Sequence, residues 1–156
     1  MVSKTNNKDE NYVLDLCDEV LRLTCRRQHR FDFLRGDPNK KGKTVLLPVD
    51  GYYQPLGLVI EYRERQHTEV VKFFDKPDHI TVSGVHRGEQ RRIYDERRKL
   101  LIPQNNLTLV EISYSNFNYN THKRIIRNRN KDYEIIKKIL SKYIKQEKST
   151  YYQTND

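Results

Sequence analysis

The sequence predicts one small α/β domain built in the order αβββαβ. Three observations carry this: an amphipathic helical repeat near the N-terminus, three short β-rich runs set apart by turn residues, and a charged helical stretch followed by a last apolar strand. Val13, Leu16, Cys17, Val20, Leu23 and Thr24 recur at i, i+3, i+4 and i+7. That repeat buries one face of a helix over about Tyr12 to Gln28. Arg30 to Arg35 (RFDFLR) then alternates, with Phe31 and Phe33 on one side; GDPNKKGK supplies turn residues, and TVLLPVD reads as the returning strand. Gly51 to Gly57 (GYYQPLG) makes a second turn into LVIEY, a β-rich apolar run suited to a central strand. Residues 64–85 read as a loop carrying an extra short strand before Gly84. Gly88 to Leu101 is helical with Ile93, Leu100 and Leu101 inward, Pro103 stops it, and LTLVEIS is the final strand. Beyond it, Lys131 to Lys148 puts Ile135, Ile136, Ile139, Leu140, Tyr143 and Ile144 on one helical face with lysines opposite.

At 156 residues the chain fits one domain. With 33% charged residues and a mean hydropathy of -0.95, its core must be compact, rimmed by long Lys and Arg side chains. The net charge of +9 is uneven: residues 1–85 hold 14 Lys/Arg against 13 Asp/Glu, and residues 86–156 hold 16 against 8. A basic half favours a polyanion, because cations that neutralise phosphates release condensed counterions; a well-solvated basic surface is the plainer alternative. Cys17 and Cys25 suit neither a zinc knuckle nor a disulfide framework. The first residues have no apolar signal region and no stretch is long and apolar enough to span a bilayer, so the expectation is a cytoplasmic protein with no membrane partner.

Asp50 closes one strand and Glu61 lies on the next, joined by a turn centred on Gln54 and Pro55. Antiparallel pairing can bring both carboxylates to one end of the sheet. Mg²⁺ uses such a pair when it keeps several waters and takes further oxygens from a substrate phosphate, which suits phosphodiester hydrolysis. In isolation the same two residues more often cap a turn and pair with an arginine.

Several blocks, taken in order, supply context: RRQH at Arg26 to His29, LPVDGYY at Leu47 to Tyr53, LVIEYRERQH at Leu58 to His67, YDERRKLL at Tyr94 to Leu101, and LTLVEISYSNF at Leu107 to Phe117. Together they resemble the very-short-patch-repair endonuclease branch of the PD-(D/E)XK nuclease superfamily and its small bacterial relatives. The resemblance implies a restriction-endonuclease-like fold with a mixed central sheet flanked by helices. It spans roughly residues 12–117 and leaves the C-terminal helix unexplained, in a chain that divides into a polar lead (1–11), a nuclease core (12–120), a basic helical extension (121–148) and a polar tail (149–156). It implies metal ligands Asp50 and Glu61 for Mg²⁺ or Mn²⁺, and places Gln66, His67, Asp95 and Arg98 in the family's pattern. Glu19 on the first helix is the candidate for a carboxylate that holds a metal-bound water; its alternative is a surface pair with Arg22. The superfamily usually has Lys two residues after the Glu, where this chain has Arg63. Arginine cannot serve as a base; it can hold a phosphate oxygen, leaving water activation to the metal, Gln66 or His67.

On the second helix Arg87, Arg91, Tyr94 and Arg98 share a stripe that can follow a phosphate backbone, although such faces are often simply solvated, and Arg98 can instead brace the site. Lys123, Arg124, Arg127 and Arg129 form the densest basic run, with Tyr114, Phe117 and Tyr119 just upstream. The last helix's apolar face is expected to dock on the core or on a second copy. The expectation is therefore a metal-dependent endonuclease acting on DNA, or RNA, as monomer or homodimer. Its alternative is a nucleic-acid-binding module of nuclease fold with weak or lost turnover.

Overall fold

The computed structural model describes residues 8–64, 82 and 84–144. The predicted loop strand, Gln66, His67, Lys145 and the polar tail lie outside the described residues. Within them the protein is α/β, with a four-stranded mixed open sheet and three helices: α1 (Asp9–Leu21), β1 (Arg26–Arg35), β2 (Leu46–Tyr53), β3 (Leu58–Arg63), α2 (Arg87–Gln104), β4 (Thr108–Ser113) and α3 (Arg129–Ile139). The strands lie in the order β1-β2-β3-β4. The first two pairings are antiparallel and β3 pairs parallel with β4, so the connection through α2 crosses over. The αβββαβ order is thus present.

Several boundaries differ from those the sequence predicts, and β2 runs past Asp50, expected to close it, to Tyr53. The first helix ends at Leu21 rather than Gln28, because Arg22 takes a left-handed conformation (φ 54°) whose N–H closes on the carbonyls of Asp18 and Glu19. Such caps are normally glycine, so an arginine there conceals the stop. Arg26 to Gln28, expected on the helix, instead begin β1, where the ladder with β2 outweighs helical periodicity. Pro103 does not end α2 early; it sits in the last turn, where its missing N–H forfeits a single bond, and Asn105 closes the helix onto Leu101 and Ile102. The third helix is shorter than expected: Asn128 caps its start by accepting from the Lys131 amide at 3.2 Å, and a 3-10 turn, Ser141–Tyr143, follows it.

The sheet is covered on both faces, so Leu58 to Tyr62 of β3 are all buried. On one face Val13, Leu14 and Cys17 of α1 pack with Ile60, Ile112 and, from α3, Ile136 and Leu140. On the other, Val59 packs with Leu34, Leu47, Val49 and Ile102. Fully burying each such aliphatic side chain contributes about 1.5–3 kcal/mol. The last helix is therefore docked on this core. Its docking is polar as well: Tyr12 donates to the buried Asp132 at 2.5 Å, Asp9 accepts from the Ile125 amide at 2.9 Å and from Arg127 at 3.0 Å, and Arg127 stacks on Tyr12.

Two contacts settle where α1 sits. A Cβ at Gly51 would lie 2.9 Å from Leu14 and 3.2 Å from the Cys25 sulfur, so the helix rests on strand backbone that has no side chain. At the same place both hairpin strands change faces. Leu47 and Val49 pack toward Ile102, yet Gly51 and Tyr53, next in the same alternation, lie toward α1. On β1, Arg27 reaches Asp15 and Asp18 of α1 while His29 and Phe31 stack with Tyr52. Strict period-two alternation would keep each pair together. Between them Gln28, opposite Asp50 in the register, has φ 51°. Gly51→Ala should overpack this contact and lower stability by about 1–3 kcal/mol, read as a lower urea midpoint at unchanged slope.

Candidate functional site

A cleft of about 420 Å³ opens where the ends of β2 and β3 meet α1 and α2, and Glu10, Asp50, Glu61, Arg63, Arg91 and Arg98 are among the residues that line it. The pairing Gly51↔Ile60 puts Asp50 opposite Glu61. Asp50 is held by its strand partner, accepting from the Tyr62 amide at 2.8 Å. Glu10 stands one turn before Leu14 on the same helix face, so the seating of Leu14 on Gly51 carries Glu10 to the cleft. There it takes a 2.9 Å bond from Gln28 Nε2.

Three carboxylates converge, Glu61 buried and Glu10 and Asp50 half-buried, each beside another of like charge. Burial first, then a hydrogen bond and repulsion from Asp50, push Glu10 up to about 8. Burial and the same neighbour raise Glu61 to about 9, against the pull of Arg98 and Arg63. Glu61 Oε1 is buried with no hydrogen-bond donor; the nearest cation, Arg98 Nε, stands at 3.4 Å. Among the described residues no three His, Cys, Asp or Glu side chains are grouped to hold a metal ion by themselves. The carboxylates nevertheless suit a hard divalent cation, which binds one or two carboxylates and keeps waters elsewhere. An orphaned Glu61 oxygen beside Asp50 offers that pair. A second, more open hollow holds Lys99 and Glu111 as its charged groups, already 4.0 Å apart, and has no such convergence.

The expected residues distribute as follows. Asp50 and Glu61 do meet. Glu19 does not join them: nine residues after Glu10, it lies about 13 Å further along the helix and pairs with Arg129 at the surface. The helix carboxylate in the cleft is Glu10, which the sequence reading passed over because it placed the helix start at Tyr12. Arg63 is not open to a phosphate. It binds Asp95 at 2.9 Å and Glu111 at 2.8 Å, and its Nε is buried without a partner. Glu111, opposite Glu61 on β4, was also missed.

Arg98 turns inward rather than along an outer stripe. It donates twice to the Pro48 carbonyl, at 3.0 and 3.2 Å, and once to Asp95 at 3.0 Å, joining β2, α2 and β3. Arg91 is exposed at the cleft and Arg87 is exposed at the first residue of α2. Of the basic run, Arg127 is held by Asp9 and Arg129 by Glu19, Lys123 lies 6.0 Å over the Tyr114 ring, and Arg124 is exposed. His67 lies outside the described residues. Comparison with protein-family models, curated proteins and solved structures finds no match to this chain.

The raised carboxyls make metal-free stability fall with pH. A group whose pKa is higher folded than unfolded stabilises the fold fully below its unfolded value and loses that contribution as pH rises through the folded one. The window here runs from the ordinary glutamate value of 4.5 to about 8 for Glu10 and about 9 for Glu61. Asp50→Asn keeps an oxygen for the Tyr62 amide and removes the central charge. Melting in EDTA across this range should show a flatter decline for the variant, which at pH 8.5 should exceed the wild type by roughly 1–2 kcal/mol, a few degrees.

Proposed function

We propose that the chain is a metal-dependent endonuclease that hydrolyses phosphodiester bonds in DNA, using Mg²⁺ or Mn²⁺ held by Asp50 and Glu61. The observation that carries the reading is their juxtaposition on adjacent strands, in a cleft that also receives Glu10 and whose Glu61 Oε1 lacks a donor. When bound, the metal ion supplies charge neutralisation at the scissile phosphate and makes a bound water more acidic. The chain's own groups do the rest. Glu10, which α1 brings into the cleft beside Asp50, accepts the proton of the attacking water in its ionised form. Arg91, exposed at the cleft, meets the phosphate backbone. Arg98 and Arg63 act through others: Arg98 ties Glu61's strand to β2 and α2, and Arg63 balances Asp95 and Glu111.

A second reading, a nucleic-acid-binding module of nuclease ancestry with little turnover, is favoured by one observation. Arg63 stands where the resembled superfamily has lysine, and both faces of its guanidinium are committed to carboxylates. Cleavage of supercoiled plasmid separates the two. With Mg²⁺ or Mn²⁺ the wild type should nick or linearise DNA and EDTA should abolish it. Asp50→Ala and Glu10→Ala should each lose at least about 100-fold, whereas Glu19→Ala should not. An inert wild type that still retains DNA with steep salt dependence would establish the module instead.

A further inference from the structure

Gln28 occupies a conformation that its position in β1 does not require. Its φ of 51° lies in the left-handed region that glutamine seldom enters, and such residues persist only where the surroundings enforce them. The flanking pairs, Arg27↔Gly51 and His29↔Val49, keep a single register, so no inserted residue needs accommodating. The reversal instead lets Gln28 follow Arg27 toward α1, where its Nε2 donates to Glu10 Oε1 at 2.9 Å. A neutral amide is the group that fits there: it supplies a donor to a crowded set of carboxylates, whereas an arginine would form an ion pair and compete with Asp50 for Glu10. We infer that Gln28 is a positioning residue of the carboxylate site, its side chain holding Glu10 against Asp50 and its kinked backbone retained for that contact. This rests on the nuclease reading above.

The test combines a contact that can be seen without metal with readouts that need it. In NMR spectra of the metal-free protein, Glu10→Ala should move the Gln28 side-chain amide resonances to the position of a glutamine whose amide has no carboxylate partner. Gln28→Gly removes the amide but suits the left-handed backbone. It should melt no lower than the wild type, while its Mn²⁺ affinity by calorimetry and its plasmid nicking rate both fall about 10–100-fold. Gln28→Ala should lose both stability and function. The inference is overturned if the Gln28 amide is indifferent to Glu10→Ala, or if Gln28→Gly binds Mn²⁺ and nicks as the wild type does. Should the wild type neither bind Mn²⁺ nor cleave, the nuclease reading falls, and the amide resonance alone decides whether Gln28 holds Glu10.

Discussion

The close approach of α1 to β2 governs the arrangement of the cleft. Leu14 sits on strand backbone because Gly51 presents no Cβ, and that seating sets both the height of the helix and its rotation. One turn earlier on the same face, Glu10 is delivered to Asp50 and Glu61. The segment leading into α3, with the first turn of α3, then fixes the N-terminal turn of α1, since Asp9 and Tyr12, which flank Glu10, are bound by Ile125, Arg127 and Asp132. An apolar contact, a missing side chain and a distant helix cap together place one carboxylate.

The charge arrangement around the cleft is layered. Glu10, Asp50 and Glu61 are held together against their repulsion, and two of them are pushed toward their neutral forms. Behind them the half-buried Arg63 and Arg98 engage Asp95, Glu111 and the Pro48 carbonyl, so that these cations face partners. Packing and the ladder maintain the acidic centre, at the cost of a Glu61 oxygen without a donor. Sites that bind or react commonly hold such tension where the remaining fold can bear it.

Much of this was legible in particular residues. The apolar runs of β2 and β3, the turn at Gln54 and Pro55, and the repeats of α2 and α3 all report directly on burial, and each element formed, although β2 runs on to Tyr53 and α3 ends at Ile139. Asp50 and Glu61 were legible because a short turn leaves antiparallel strands one register. The end of α1 was hidden by a left-handed arginine where glycine is usual. The start of α1, read at Tyr12, lies at Asp9, which puts Glu10 on the helix and at the cleft, whereas Glu19 is on the helix but far from it. Arg63 and Arg127 were read as phosphate contacts, and Arg98 as either that or a brace, because sequence spacing states which face a residue occupies and not which carboxylate faces it.

By itself the sequence determined the element order, the mixed sheet's central strand and the two strand carboxylates, because hydrophobic periodicity and tight turns are local properties of the chain. The tertiary structure alone decided that Glu10 joins those carboxylates, that Gln28 turns over to meet it, and that the arginines behind the cleft face inward. Each of those outcomes depends on groups far apart in the chain. Glu10 and Asp50 are brought together by how closely a helix can lie on a glycine, a distance that no local pattern encodes.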